Sequence, residues 1–450
     1  MAIRPRERPQ SSVSKQARRA GLLAAPILLV IGILLIVLPT STGRRDTDAT
    51  NSADRPLVPP TLTPIDGGTG YYGQFSSSLP TDPGFFPIGV WGAYALTQSN
   101  IDLDKSIGLN TYVWMGGNPA EDSALARLRG SGMYAMHFID QAGSYPSHGS
   151  ESVGWITEDE IDMQQANPAG AATARTELTS RLSRRPDDGR FAYSNYGKGV
   201  IFWLSDSDAE QFVNDYQQVV SNDIYWFADN DSCVQSQGGN LFGLGRNMTR
   251  AECKRASNYG RTVDRMRSLD AMDGARQPIW NFVEVGHPFS NESWPSITAP
   301  QIRAAVWHSI IAGARGILYF QHNFGGPCIS HHALRDNCGN VRPTVTATNE
   351  QIKQLAPVLN SPSVTSGWSA NANLRAMVKW DGQNFYVFAG SKENAATTGT
   401  FAMSCLGNAT ATRLGESGSV TVTNGSFNDF FADGNAVHIY RIDGGSSCGL

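Results

Sequence analysis

Between residues 85 and 322, short apolar runs alternate with longer stretches in which apolar positions recur every three or four residues. The first pattern suits strands buried on both faces, the second amphipathic helices. The runs FFPIGVW (85–91), NTYVWM (110–115), MYAMHFID (133–140), SVGWI (152–156), RFAYSN (190–195), DIYWFAD (223–229), PIWNFVEVG (278–286) and GILYFQH (316–322) read as strands. Helical stretches at 121–132, 207–220, 259–274 and 299–316 separate several of them. Eight strands joined by crossover helices over ~250 residues predict an α/β fold of the (β/α)8 TIM-barrel type, here residues 81–360. A doubly wound α/β sheet is the runner-up. It would carry a glycine-rich phosphate loop after its first strand, and GVWGAYAL is not one.

The pattern changes after residue 360. LRAMVKWDGQNFYVFAG and the segments after it alternate apolar and polar residues, with turn signals at two DG pairs and one NG. Residues 361–450 therefore read as a small all-β sandwich. At the other end, Gly21 to Pro39 is an uncharged apolar run with no period. That length suits one N-terminal transmembrane helix. Basic residues in 1–20, Lys15, Arg18 and Arg19 among them, put that tail in the cytoplasm and the rest of the chain outside. The expectation is an uncleaved signal anchor, with secretion after signal cleavage as the alternative. Residues 40–80, rich in Pro, Thr, Asp and Gly, read as a flexible linker.

Composition narrows the partners. A net charge of −4 gives no basic stripe for nucleic acid. Ten tryptophans supply flat faces of the kind that stack on sugar rings. The six cysteines all follow the apolar run, and an even count in an exported chain suggests disulfides. Nearest neighbours would pair as 233–253, 328–338 and 405–448, although spacing alone does not fix connectivity. A zinc site is the alternative, without a C-x-x-C pair to support it.

In a (β/α)8 barrel, chemistry sits at the C-terminal ends of the strands. There the sequence offers Asp140 after strand three, Glu160 after strand four, Asp229 after strand six, Glu284 at the end of strand seven and His322 after strand eight. Two carboxylates facing each other suit glycoside cleavage, in which one protonates the leaving oxygen and the other attacks carbon or activates water. Each acid also has a structural reading. EDEID (158–162) suits a helix start, where anions favour the positive end of the dipole. Glu284, flanked by Phe282, Val283 and Val285, would be costly to bury unless it is paired or functional.

The segments FFPIGVW, IGLNTYVWM and VGWITEDEIDM resemble a type found among barrel glycoside hydrolases. So do GARGILYFQH with the helix before it, and the C-terminal β-sandwich. The resemblance spans roughly residues 82–450. One departure is Ile161, which stands where a proline is common after the paired acids. The resemblance implies that Glu160 is the acid/base, that Glu284 is the nucleophile, and that the anomeric configuration is retained. Retention goes with carboxyl groups ~5–5.5 Å apart, inversion with ~6.5–9.5 Å. Asp159 would hold a sugar hydroxyl or keep Glu160 protonated.

Asn195, Asp229, Asn230 and His287 are candidates for hydroxyl contacts, with His322 at the end of strand eight. Trp91, Trp114, Trp155, Trp226 and Phe320 are candidate sugar platforms. For each of these, packing in the barrel is the competing reading. His331–His332 falls between two cysteines and invites a metal reading, but no metal or cofactor is expected. The function expected is a membrane-anchored, extracytoplasmic glycoside hydrolase acting on a polysaccharide or glycoconjugate. A carbohydrate-binding surface protein on a degenerate scaffold is the second possibility; it would have no reason to keep both Glu160 and Glu284. A metal-dependent deacetylase or phosphodiesterase lacks a ligand set, and an esterase lacks a G-x-S-x-G elbow.

Overall fold

A computed structural model describes residues 59–115, 122–144, 149–164 and 167–450. The basic tail, the apolar run 21–39 and the first part of the expected linker lie outside these residues. Among the described residues, no helix is long and apolar enough to cross a membrane.

After a short strand β1 (Leu62–Thr63), eight parallel strands close into a barrel. They are β2 (Ile88–Ala93), β3 (Thr111–Met115), β4 (Tyr134–Phe138), β5 (Ser152–Asp159), β6 (Phe191–Tyr196), β7 (Val219–Asn222), β8 (Ile279–Glu284) and β9 (Gly316–Phe320). β9 pairs with β2 to complete the ring. Helices α1 (Gln98–Ser106), α2 (Asp122–Leu128), α3 (Pro168–Leu182), α4 (Asp206–Asp215), α5 (Arg250–Cys253), α6 (Ser257–Asp270), α7 (Ala299–Ile311) and α8 (Arg342–Leu359) follow the strands. Several start on side-chain caps: Asn167 accepts from the Gly170 N–H, and Ser205 from the Asp208 N–H. α1, α3, α5 and α8 had not been read from the sequence; in α3 an alanine- and threonine-rich face carries little apolar period.

Strand side chains alternate between two packed layers. Along β8, Ile279 and Val283 join the shell shared with the helices, while Trp280 and Phe282 join the barrel interior with Val113, Met136, Ile156, Tyr193 and Leu318. Both faces are buried, which is why these strands read as continuous apolar runs.

One expected strand is displaced. DIYWFAD (223–229) is not the sixth strand; Val219–Asn222 is, and α4 stops at Asp215 rather than reaching residue 220. The β-branched pair Val219–Val220 makes the ladder. Ile224, Trp226 and Phe227 are instead a buried loop under α6, where Trp226 Nε1 donates to Thr262 and the Phe227 ring stacks on Tyr259. A short buried apolar run looks the same in either role.

The linker expected through residue 80 ends earlier. β1 pairs with β10 (Ser363–Val364), and Asp66 forms ion pairs with Arg267 at 2.8 Å and Arg315 at 3.1 Å. Tyr72 and Leu79 are buried against the N-terminal end of the barrel, where the Tyr72 hydroxyl accepts from Trp280 Nε1 at 3.2 Å. Gly, Pro and Thr around Tyr71, Tyr72 and Phe75 mask this aromatic plug in the sequence.

The C-terminal part adds β11 (Trp368–Ala370), β12 (Leu374–Trp380), β13 (Asn384–Ser391), β14 (Thr397–Met403), β15 (Ala409–Arg413), β16 (Ser419–Val422), β17 (Ser426–Phe431) and β18 (Val437–Asp443). They form antiparallel sheets ordered β1-β10-β12-β13-β18-β15-β16 and β11-β14-β17. Phe385, Val387, Phe401, Phe427 and Tyr440 fill the core between them. Arg375 of β12 holds Asp264 of α6 bidentately at 2.8 and 2.9 Å, tying this part to the barrel. Disulfides join Cys233–Cys253, Cys328–Cys338 and Cys405–Cys448, bonds that persist in an oxidising compartment.

Candidate active site

Strand parity builds the site. In β8 the inward set is Trp280, Phe282 and then Glu284, the last residue of the strand. In β6 it is Phe191 and Tyr193, followed by Asn195. In β7 it begins at Val219, and Ser221 and then Asp223, one residue past the strand, continue it. Because all eight strands run parallel, these groups gather at one end of the barrel with the end of β5, which carries Asp159 and Glu160.

Glu284 is fully buried. Its Oε1 accepts the Ala228 N–H at 3.1 Å, and its Oε2 accepts the Tyr259 hydroxyl at 2.5 Å. Burial pushes its carboxyl up to about 7, against the opposing pull of those donors and of the Lys254 charge. Lys254 in turn is pushed down to about 8 by burial, opposed by the charges of Asp229 and Glu284, and its Nζ donates to the Asp229 carbonyl at 2.8 Å. The Cys233–Cys253 disulfide ties the chain shortly after Asp229 to the residue immediately before Lys254.

On the other side, Asp159 accepts from Asn195 Nδ2 at 2.9 Å, and Asn195 Oδ1 accepts from the Ser221 hydroxyl at 2.7 Å. Burial and then the Glu160 charge hold the Asp159 carboxyl well above the usual carboxylate range. Glu160 has left-handed backbone, φ +52° and ψ 28°, with its N–H donating to the Asn195 carbonyl at 2.9 Å. A non-glycine residue held there stores strain of order 1 kcal/mol, which collects at functional sites. Trp114, at the end of β3, has φ +61°.

The other acids of the opening cluster have structural work. Glu158 pairs with Arg181 at 2.6 Å, and the same guanidinium holds Asp140 and Glu177. Asp162 accepts the N–H groups of Gly197 and Val200 at 3.0 and 2.7 Å, and burial raises it to about 7 despite those bonds. A Cβ at Gly199 would lie 2.2 Å from the Asp162 carbonyl oxygen, so only glycine fits this turn.

The remaining candidates divide. Trp91 is buried, and its ring meets Trp114, Phe138 and Phe282 with centroids 5.8–6.3 Å away. Trp114 and Phe320 keep partly exposed faces at the mouth. Phe320 lies 5.1 Å from Tyr225 and 5.3 Å from His322. His322 is buried, with Nε2 donating to the Gly92 carbonyl at 2.9 Å and the ring stacked on Tyr94. Trp155 and Trp226 are fully buried, so neither offers a face to a ligand; Trp155 Nε1 is spent on Asp188. Asp229 is held by Lys198 at 2.6 Å and by Ser232 at 3.0 Å. Both ring nitrogens of His287 are engaged within its own loop, Nε2 with the Asn291 carbonyl and Nδ1 with the Ser296 hydroxyl. Among the described residues, no group of three or more His, Cys, Asp or Glu is arranged to hold a metal.

Three residues at the site were missed in the sequence: Asp223, Tyr225 and Tyr259. Asp223 was placed at the start of a strand, because strand six was read four residues late. The Tyr225 hydroxyl donates to Asp223 Oδ2 at 3.3 Å, and it lies in the field of Asp223, Glu160, Asp159 and Glu284 together. Tyr259 comes from α6, and no linear pattern signals it.

No family model and no curated protein matches the sequence. Solved structures do match. A family 5 glycoside hydrolase from Bacteroides vulgatus is 10% identical, with 85% of this chain and 95% of that chain covered and a TM-score of 0.50. A protein described as a glycoside hydrolase is 12% identical over 80% of this chain and 93% of its own, at a TM-score of 0.48. A family 30 subfamily 8 xylanase from Clostridium acetobutylicum is 11% identical over 80% and 96%, at 0.42. At such identities the likeness is one of fold: this chain is built like the barrel glycoside hydrolases, with an eight-stranded parallel barrel and C-terminal antiparallel sheets.

Proposed function

We propose that the chain is a glycoside hydrolase that cleaves O-glycosidic bonds of a polysaccharide or glycoconjugate by a retaining double displacement. The observation that carries this reading is the pair Glu160 and Glu284, at the ends of barrel strands four and seven, with the Tyr225 hydroxyl in the field of both. In the first step Glu284 attacks the anomeric carbon while Glu160 gives its proton to the departing oxygen. In the second, Glu160 takes a proton from water as that water displaces Glu284. Tyr259 and the Ala228 N–H stabilise Glu284 as the anion this attack needs. The partly exposed faces of Trp114 and Phe320 suit a sugar ring.

The apolar run 21–39, the basic tail before it and the three disulfides favour an enzyme anchored in a membrane with its barrel outside the cytoplasm. The deciding experiment screens a polysaccharide panel, then follows the first-formed anomer by NMR with wild type, Glu160→Gln and Glu284→Gln. Each variant is expected to lose at least ~10³-fold in kcat/KM, given the terms these groups supply. Near-normal turnover by both, or a first-formed anomer of inverted configuration, would overturn the reading.

A further inference from the structure

We infer that Asp229 is a positioning residue for Glu284: Lys198 and Lys254 hold it from two sides, and the turn it anchors aims the N–H groups of Phe227 and Ala228 at Tyr259 and Glu284. This rests on the glycosidase reading above and adds to it the device that fixes the nucleophile.

The turn spans residues 225–229 in the loop after β7, closed by the Asp229 N–H on the Tyr225 carbonyl at 2.8 Å. Two consecutive amides on it serve the site. The Phe227 N–H donates to the Tyr259 hydroxyl at 3.3 Å, and the Ala228 N–H donates to Glu284 Oε1 at 3.1 Å. Tyr259 in turn donates to Glu284 Oε2 at 2.5 Å. Both oxygens of the carboxylate therefore depend on this one turn.

Asp229 is the next residue, and it is buried. Its Oδ2 accepts from Lys198 Nζ at 2.6 Å and from the Ser232 hydroxyl at 3.0 Å. Its Oδ1 accepts the Asp231 N–H at 2.8 Å, and its carbonyl accepts Lys254 Nζ at 2.8 Å. Lys198 comes from the loop after β6 and Lys254 from the end of α5, so three segments meet on one residue. The Cys233–Cys253 disulfide joins two of them.

A buried ion pair adds little stability by itself, because desolvation offsets the attraction. What this pair does is hold a backbone. Buried, with both carboxylate oxygens engaged, Asp229 offers no face to a sugar hydroxyl, the role its strand-end position had suggested. An amide one residue before an anchored backbone has little freedom to swing, and a reacting group kept on line needs such support. The polar groups facing Glu284 itself are Tyr259 from α6, Lys254 beyond α5 and Tyr225 from the turn. Asp229 acts on it through the chain.

The test compares pH profiles of kcat/KM for wild type, Asp229→Asn, Lys198→Met and Lys198→Arg. Both bonds that depend on the turn favour ionised Glu284, so loosening it raises the carboxyl. In Asp229→Asn and Lys198→Met the acidic limb should move up by about one pH unit, with ~10-fold loss on its acid side. Lys198→Arg keeps a cation on Oδ2 and should restore the wild-type limb. A uniform fall with the limb unmoved, or no rescue by arginine, would overturn the inference. A second arm removes the nucleophile. In Glu284→Gly supplied with azide, adding Lys198→Met should cost nothing further; a loss as large as in the wild-type background would also overturn it. If Asp229→Asn does not fold, the half-buried Lys198 carries the test. If wild type cleaves no glycoside, the glycosidase reading fails, and the infrared titration of the Glu284 carboxyl, assigned by difference from Glu284→Gln, decides the positioning role alone. An upward shift in Lys198→Met supports it, and an unmoved carboxyl sinks it.

Discussion

The Tyr259 hydroxyl donates to Glu284 Oε2 at 2.5 Å, and it also accepts the Phe227 N–H at 3.3 Å. A backbone amide therefore polarises a phenol that in turn holds a carboxylate. Such chains strengthen each bond along them. The arrangement draws on α6, on the loop after β7 and on the end of β8, and it is the main stabiliser of charge on a carboxylate that burial would otherwise keep neutral.

Tyr259→Phe removes that donor and leaves the shape. A hydrogen bond to a charged group is worth ~1.5–3 kcal/mol, which is about 1–2 pH units. Because the bond favours the ionised form, its loss raises the Glu284 pKa. The acidic limb of kcat/KM should move to higher pH, with a fall of ~10–100-fold on the acid side. A pH–rate profile checks this; a uniform fall with an unmoved limb would count against it.

Glu284 also links stability to pH. Its folded-state carboxyl sits near 7, above the ordinary value of 4.5, so the folded protein favours the neutral acid. That contribution is present below about 4.5 and is lost as pH rises towards 7. Glu284→Gln is neutral throughout. Relative to wild type, it should gain stability between pH 5 and 8, by up to about 3 kcal/mol at 1.36 kcal/mol per unit. Any cost of fitting the amide is constant with pH, so denaturation at several pH values reads the slope.

The Cys233–Cys253 disulfide closes a loop whose cysteines are 20 residues apart and which carries Leu241, Phe242 and Met248 against the shell beside the site. Replacing both cysteines by alanine should cost ~3 kcal/mol by loop entropy. Activity should fall even where the fold persists, since Lys254 follows the clamp directly. Urea melts and kcat/KM at a permissive temperature test the two effects separately.

Tyr72→Ala should destabilise by ~3–5 kcal/mol, the range for emptying a buried aromatic site. Tyr72 packs at the end of the barrel opposite the carboxylates, so kcat should hold where the protein is folded. Chemical denaturation measures the loss. A variant as stable as wild type would return residues 59–80 to the linker reading.

Much of this architecture is legible in hydrophobic rhythm. Trp280 and Phe282 alternate with Ile279 and Val283 because both faces of a barrel strand are buried, and that makes the strand recognisable without its neighbours. Barrel strand six escaped for the same reason: Ile224, Trp226 and Phe227 are as apolar as a strand, yet they form a packed loop. Tyr72 escaped because its neighbours are turn-formers.

The sequence by itself determined the barrel, the sandwich and the strand-end positions of Glu160 and Glu284, since these follow from period and order along the chain. Only the tertiary structure decided what surrounds those two carboxyls. Glu158 and Asp162 became structural because Arg181 and the Gly197 turn reach them, whereas Asp223 and Tyr225 joined the site from the loop after β7 and Tyr259 from α6. A carboxyl's role depends on burial, charge and donors in space, and the two donors to Glu284, Tyr259 and Ala228, lie 25 and 56 residues away in the chain, beyond any local pattern.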